Sequence, residues 1–243
     1  MKPFLVALRF LTRFPVSWNS PTDEEVGRSM LYYPLVGLLM GLPLAAMAWA
    51  LGEGVLAAAL IVTAWVLLTG LLHMDGLADT ADAWIGGLGD RERTLEIMKD
   101  PRCGPAGVTA LILLVLVKFA AVFELLALPG GWIALILAPL LGRAVVLPLF
   151  LLTEYVRSAG MATLLARHLP RRGAWLVTAG VALAVIILGG MAGVWALAGA
   201  ALVFLLGRAW MVHRLGGTTG DTAGGLIELV EAGVLLAVVL ALQ

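Results

Sequence analysis

The sequence contains a single cysteine and few charged residues. Because Cys103 is alone, the chain can form no internal disulfide and no metal site made only of cysteines. Only 13% of the 243 residues are charged, and 16 basic residues balance 16 acidic ones. A chain without net charge has no global field to attract nucleic acid. We therefore expect no nucleic-acid partner.

Apolar residues make up 61% of the chain, and the mean hydropathy is +1.01. A soluble domain of this length has too much surface for its volume to hide so many apolar side chains. Intrinsic disorder requires low hydrophobicity, so it is excluded as well. The apolar runs are continuous and do not alternate as in a porin. The composition predicts an all-α, polytopic membrane protein.

A helix needs ~20 mostly apolar residues to cross a bilayer. Glycines at Gly189, Gly190 and Gly193 join the fifth and sixth candidate spans and predict a tight helical hairpin there. The chain shows no internal repeat and no low-complexity linker, so we treat 1–243 as one integral membrane domain. Seven stretches meet the length requirement: 31–52, 55–74, 105–127, 131–153, 174–190, 192–212 and 225–242.

Residues 1–30 lack the long apolar core and the small-residue cleavage site of a signal peptide. They predict an interfacial amphipathic helix that anchors the chain to the lipid bilayer. Arg9 and Arg13 lie on its polar face, and Arg13 is also a candidate substrate contact. The apolar face consists of Phe4, Leu5, Leu8, Leu11 and Phe14.

Lysine and arginine lie on one side of the predicted bundle. Apart from Lys118 and Arg143, every one falls in 1–30, in alternate connections between spans or, for Arg208, at the end of a span that leads into such a connection. The positive-inside rule then places the N-terminus in the cytoplasm of a bacterium, with the chain in its plasma membrane and the C-terminus outside. Inside the spans, Lys118 snorkels or pairs with Glu124, and Arg143 faces protein or water.

Three aspartates follow the second predicted span at helical spacing: Asp75, Asp79 and Asp82. On a helix they fall within about 60° of one another around the axis, so their charges repel. A bound cation would remove this repulsion, and carboxylate oxygens suit Mg²⁺ or Mn²⁺. The alternative is three solvated side chains at the membrane surface. His73, just before them, is a ligand, base or substrate contact, or makes a helix-end hydrogen bond.

A second acidic cluster begins at the last predicted span. Asp221 and Glu228 share a helix face, and Glu231 lies about 60° from it. Ionisable groups that enter a span are costly unless they serve a site. We expect Asp221 and Glu228 to join the metal site, with Glu228 and Asp82 as catalytic carboxylates and Glu231 at the substrate. The glycine-rich loop 216–220 could hold a phosphate, with these candidate contacts: Thr218, Thr219 and Gly220.

Lys99 and Arg102 precede the third predicted span on the same side as the carboxylates. Cations combined with a carboxylate-bound metal are the usual means of binding a polyphosphate. The alternative is that both residues only set the topology. A proton-coupled transporter is a further alternative, although its acidic residues should lie near the bilayer midplane rather than at the edge.

The chain resembles the cobalamin synthase family over nearly its whole length. The aspartate stretch and the C-terminal T-G-D…E…E stretch are together specific for that family. The CDP-alcohol phosphotransferases are similar in logic, but their D-G-x-x-A-R pattern is not matched, because Asp79 follows Ala78 where Arg would stand. The anchors of the resemblance are the stretches 9–16, 33–37, 73–84, 96–107 and 217–231.

The resemblance implies an adenosylcobinamide-GDP ribazoletransferase. Such an enzyme joins adenosylcobinamide-GDP with α-ribazole, or with its 5′-phosphate, and releases GMP. Mg²⁺ is its implied cofactor, and a homo-oligomer is compatible with the sequence. The carboxylates and cations described above would supply the charge neutralisation and positioning that phosphoryl transfer requires.

Overall fold

The computed structural model describes residues 2–15, 20–158 and 160–243, so Val16 of the first family stretch lies outside it. Its described part is helical and contains no strand beyond one isolated bridge, which confirms the all-α prediction. Two short 3₁₀ turns, Met30–Tyr32 and Gly131–Ile133, are also present. The helices are α1 (Lys2–Leu11), α2 (Asp23–Ser29), α3 (Tyr33–Leu51), α4 (Val55–Thr69), α5 (Leu72–Gly86), α6 (Arg91–Ile97), α7 (Pro105–Ala127), α8 (Ala134–Ala144), α9 (Val146–Leu152), α10 (Met161–His168), α11 (Arg171–Leu215) and α12 (Gly220–Leu242).

Several of these helices are long and apolar enough to cross a membrane. The described chain has five such stretches, or six if the bent pair α4 and α5 forms one span. The predicted spans 174–190 and 192–212 both lie within α11, and the predicted span 55–74 falls on the bent pair. Together these account for a count of five or six rather than seven. The five stretches are Asp23–Leu51, Pro105–Ala127, Gly131–Leu152, Arg171–Leu215 and Gly220–Leu242.

Helix α11 is a hairpin of two helices, as its glycines predict. Gly190 has φ 54° and ψ −133°, which breaks the helix. Arg171 and Arg208 both donate to carbonyls at the end of α9, at 2.8 and 2.6 Å. A straight helix would hold these two arginines about 55 Å apart. Near the turn, a Cβ on Gly193 would collide with the carbonyl oxygen of Val185. Glycine at this position therefore lets the second helix of the hairpin pack closely against the first.

Helices α3 and α8 pack through two glycines four residues apart. A Cβ on Gly37 would collide with the carbonyl of Pro139, and one on Gly41 would lie 2.6 Å from the Cα of Ile136. In a bilayer, association depends on close van der Waals contact, which small residues permit. These glycines therefore let the backbones touch in the middle of the bundle.

Helix α1 lies against the bundle with its apolar face inward. Ala7 and Leu11 are buried, whereas Arg9 on the opposite face is exposed. Phe14 lies beyond the end of the helix and is 50% exposed. The predicted amphipathic helix is therefore present, although it is shorter than the segment 1–30.

The chain turns by 88° between α4 and α5. Gly70 and Leu71 both adopt left-handed conformations there, with φ of 60° and 67°. This turn sets α5, which carries the three aspartates, at a steep angle to the apolar helix α4. Basic side chains gather at the same end: Arg91 donates to the carbonyl of Leu215 at 2.7 Å, next to the start of α12. The polar end of the bundle is thus built around α5.

Candidate active site

Helix α5 crosses the beginning of α12 through glycines. A Cβ on Gly76 would lie 2.7 Å from the carbonyl oxygen of Asp221, closer than side chains approach. Gly224 and Gly225 of α12 face α5 at the same crossing. Because no side chain separates the two helices here, the acidic clusters that the sequence places far apart meet at one point.

The meeting carboxylates are Asp75, Asp79 and Asp221. Asp75 is exposed, and Asp79 is half-buried on α5 outside the span. Burial, followed by the negative charges of Asp75 and Asp221, raises the pKa of Asp79 to about 6. Without a counterion, the site therefore holds more negative charge than its surroundings neutralise. Oxygen donors with excess negative charge suit Mg²⁺, which keeps several water ligands and needs few carboxylates.

The described residues do not assemble the full metal site that the sequence predicts. In this part of the chain, no three Asp, Glu, His or Cys groups lie close enough together to form a ready metal cluster. Three of the predicted ligands have protein partners in the structure: Asp82 contacts backbone N–H groups, Glu228 contacts Lys118, and Asp221 contacts Arg157.

Asp82 caps the N-terminus of α7. Its carboxylate accepts hydrogen bonds from the backbone N–H of Gly104 at 2.7 Å and of Gly107 at 2.8 Å. A carboxylate at this position satisfies free N–H groups and interacts favourably with the helix dipole. The two glycines leave space for it, because a Cβ on either would lie within about 2.6 Å of its oxygens. The loop before α7 is thereby fixed to α5.

Glu228 and Glu231 belong to a buried ion network. Lys118 contacts both carboxylates, at 2.5 Å from Glu228, and Arg143 contacts Glu231. All four side chains are at most 3% exposed. The interpretation that Lys118 pairs with Glu124 is wrong, since its partners lie on α12. Two cations and two anions balance one another, which explains how the spans tolerate them.

This network predicts a stability effect for Lys118→Met. The change leaves a buried carboxylate without its cation, so we expect it to lower the free energy of unfolding by about 3–5 kcal/mol. Adding Glu228→Gln should restore part of the loss, because it removes the unpaired charge. Thermal unfolding of the three proteins in detergent measures both effects. A double variant no more stable than Lys118→Met would contradict the pairing.

His73 connects this network to a cavity of about 200 Å³. Its Nδ1 lies 3.3 Å from Nη2 of Arg143, and the side chain is 3% exposed. Asp75 and Asp221 line the same cavity, whose other walls are largely apolar and include Tyr33. The cavity thus has carboxylates on one side and apolar surface on the other.

The loop before α12 is held by its own hydrogen bonds. Thr218 pairs with the chain after α9, its N–H donating to the carbonyl of Glu154 at 2.8 Å. Thr219 caps α12, its hydroxyl accepting from the N–H of Thr222 at 3.2 Å. Both threonines are buried, whereas Gly220 lines the cavity. Of the predicted phosphate loop, Gly220 therefore has the most direct access to a ligand.

Arg157 is a site residue that the sequence does not single out. Its guanidinium lies 2.6 Å from the carboxylate of Asp221. The pairing of residues 154–156 with Thr218 brings it there from a loop more than 60 residues away. In the sequence Arg157 is one of many basic loop residues. Only its contact with Asp221 in the fold distinguishes it from the others.

The remaining predicted cations lie at the rim. Arg102 is exposed and pairs with Asp100 at 2.6 Å; its hydrogen bonds lower the pKa of Asp100 to about 2. Lys99 is exposed in the same loop, beside Met98, whose carbonyl lies 3.5 Å from Arg157. Arg13 donates to the carbonyl at the end of α4 at 3.2 Å. Lys99 therefore lies in a loop that contacts Arg157, Arg102 pairs within that loop, and Arg13 holds the turn before α5.

Comparison with known proteins identifies the family. The family model described as cobalamin-5-phosphate synthase matches residues 3–239. The adenosylcobinamide-GDP ribazoletransferase of Pseudomonas fluorescens strain Pf-5 is 54% identical and that of Pseudomonas entomophila strain L48 is 53% identical, each over 99% of this chain and at least 99% of the relative. No solved structure matches. This chain, a helical membrane protein, therefore belongs to the cobalamin-5-phosphate synthase family and is an enzyme.

Proposed function

We propose that the chain catalyses the Mg²⁺-dependent joining of adenosylcobinamide-GDP with α-ribazole or its 5′-phosphate. The products are adenosylcobalamin, or its 5′-phosphate, and GMP. The observation that carries this proposal is the crossing of α5 and α12 at Gly76, which gathers carboxylates from two helices beside a cavity. The names of the relatives support the choice of substrates.

In this reaction a ribose hydroxyl of α-ribazole attacks the phosphorus that bears the corrinoid aminopropanol. A new P–O bond forms and the hydroxyl releases its proton to water, while the bond from that phosphorus to the bridging oxygen breaks, so that GMP leaves with that oxygen. Phosphoryl transfer depends mainly on positioning and charge neutralisation. The residues of this chain can supply both the positioning and the charge neutralisation.

Asp75, Asp79 and Asp221 are the residues that would hold Mg²⁺. Bound there, the ion would neutralise charge on the phosphates. Arg157, which pairs with Asp221, is positioned to contact phosphate oxygens at the same place. The apolar walls of the cavity limit the access of water. Asp82 and Glu228, whose carboxylates cap α7 and pair with Lys118, are assigned to holding the helices around the site.

The direct test is an assay of the purified protein in detergent. Adenosylcobinamide-GDP and α-ribazole 5′-phosphate are supplied with Mg²⁺, and GMP and the joined product are measured by chromatography. We expect equal amounts of both products and none when the metal is chelated. A CDP-linked alcohol serves as a control substrate. Release of CMP from it, without any joined corrinoid, would contradict the proposal.

Lys99 and Arg102 are proposed to bind the pyrophosphate of the GDP-linked substrate. We expect Arg102→Ala to lower kcat by roughly 10²–10³-fold, as for the loss of an oxyanion donor. Arg102→Lys should not restore it, since lysine lacks the planar fork that binds phosphate in two places. The matched control is Arg93→Ala, an exposed arginine on the same side. If each correctly inserted Arg102→Ala molecule turned over at the native rate, Arg102 would not bind the pyrophosphate. It would then serve only to set the topology.

The active site is proposed to face the cytoplasm of a bacterium, with the chain in the plasma membrane. The one-sided distribution of lysine and arginine supports an N-terminus inside and a C-terminus outside. A C-terminal alkaline phosphatase fusion should be active, whereas a fusion near residue 90 should be inactive. The reverse pattern would place the site on the outer face and overturn this orientation.

A further inference from the structure

His73 makes a contact that determines where its proton resides. Nδ1 lies 3.3 Å from Nη2 of Arg143. A guanidinium has only donors and stays protonated in proteins, so this hydrogen bond requires Nδ1 of His73 to be the acceptor. An acceptor nitrogen carries no proton. The proton of a neutral imidazole must then be on the other nitrogen, Nε2.

The contact with Arg143 lies among other buried cationic groups. The side chain is 3% exposed and lies near two buried cations, Arg143 and Lys118. Lys118 also lies over the ring of Trp65, at 4.8 Å from its centroid. The two carboxylates of the network are already matched by the two cations.

We propose that His73 presents its Nε2–H to the cavity as a hydrogen-bond donor to a phosphate oxygen of the substrate. The cavity that His73 lines also contains Asp75 and Asp221, and a protonated Nε2 cannot bind a metal or accept a proton. Of the ligand, base and substrate-contact roles that the sequence leaves open for His73, this leaves substrate binding. Arg143 is then a positioning residue, which fixes the tautomer of His73. The choice of ligand rests on the function proposed above.

A pair of substitutions separates this role from a structural one. The amide nitrogen of Gln can occupy the place of Nε2, whereas the Asn amide reaches only the place of Nδ1. We expect His73→Asn to lower kcat by roughly 10²–10³-fold, and His73→Gln to remain within about tenfold of the native enzyme. A purely structural role predicts the opposite order, because Asn keeps an acceptor for Arg143. Equal activities, or the opposite order, would overturn the proposal.

A measurement without turnover tests the tautomer directly. The chain has three histidines, so His168→Gln with His213→Gln leaves His73 alone in ¹⁵N-histidine-labelled protein. We expect NMR to show a protonated Nε2 and an unprotonated Nδ1. A proton on Nδ1, or on both nitrogens, would overturn the inference. Failure of the native enzyme to release GMP would instead refute the proposed function, while the tautomer would still be decided.

Discussion

Asp75→Asn and Asp79→Asn are each expected to lower turnover by roughly 10²–10³-fold or more. Losing a charge-neutralising ligand costs several kcal/mol of transition-state stabilisation, and each 1.36 kcal/mol corresponds to a factor of ten in rate. The measurement is the initial rate of GMP release per folded molecule at saturating Mg²⁺. Glu53→Gln, an exposed carboxylate in the connection between α3 and α4, is the matched control and should be unaffected.

The same Asp79→Asn protein should be more heat-stable than the native protein in metal-free buffer. The native-state pKa of Asp79, about 6, is raised from its ordinary value of 3.8. Ionising it therefore costs stability as the pH rises from about 4 to about 6, and the penalty persists above that range. The stability gain should be present at pH 7.5 and vanish near pH 4. Full activity of Asp79→Asn would remove this residue from the metal site.

Gly76→Ala is expected to reduce turnover by about 100-fold. Its Cβ would lie 2.7 Å from the backbone of Asp221, so α5 must move away from α12. A displacement of roughly 1 Å at a reacting centre can cost about 10²-fold in rate. Because the obstacle is backbone, a rotamer change cannot relieve it. The kinetic constants of the variant, measured at saturating Mg²⁺, test this expectation.

Gly86→Ala provides the control on the same helix. Its Cβ would meet only the Cδ1 atom of Ile97, at 2.9 Å, which a flexible side chain can relieve. Alanine also favours a helix over glycine by about 1 kcal/mol. We expect nearly native activity and equal or higher thermal stability. If Gly76→Ala were as active as Gly86→Ala, close contact between α5 and α12 would not be needed for catalysis.

Local patterns predicted much of this architecture. Apolar run lengths predicted most of the spanning helices, and the glycines near Gly190 predicted the α11 hairpin. The 3-and-4 spacing of aspartates placed them on one helix, and the family resemblance pointed to the same residues. These features depend on residues close together in the chain, which is where periodicity and propensity are informative.

The contacts that the sequence did not indicate are those between distant segments. Lys118 finds its carboxylate 110 residues away, and no pattern within α7 indicates it. Asp82 matches the helical spacing of a ligand, yet in the fold it caps another helix 22 residues away. Arg157 reaches Asp221 only because two loops pair. Spacing along one helix specifies a face but not the group opposite it.

We propose that Asp79 of α5 and Asp221 of α12 serve one metal site. Titration of the purified protein with Mn²⁺, followed by electron paramagnetic resonance with and without GDP, tests it most directly. We expect Mn²⁺ to bind the native protein saturably and to be displaced by Mg²⁺. Both Asp79→Asn and Asp221→Asn should bind Mn²⁺ with much lower affinity. Unchanged Mn²⁺ affinity in either variant would contradict a site shared by the two helices.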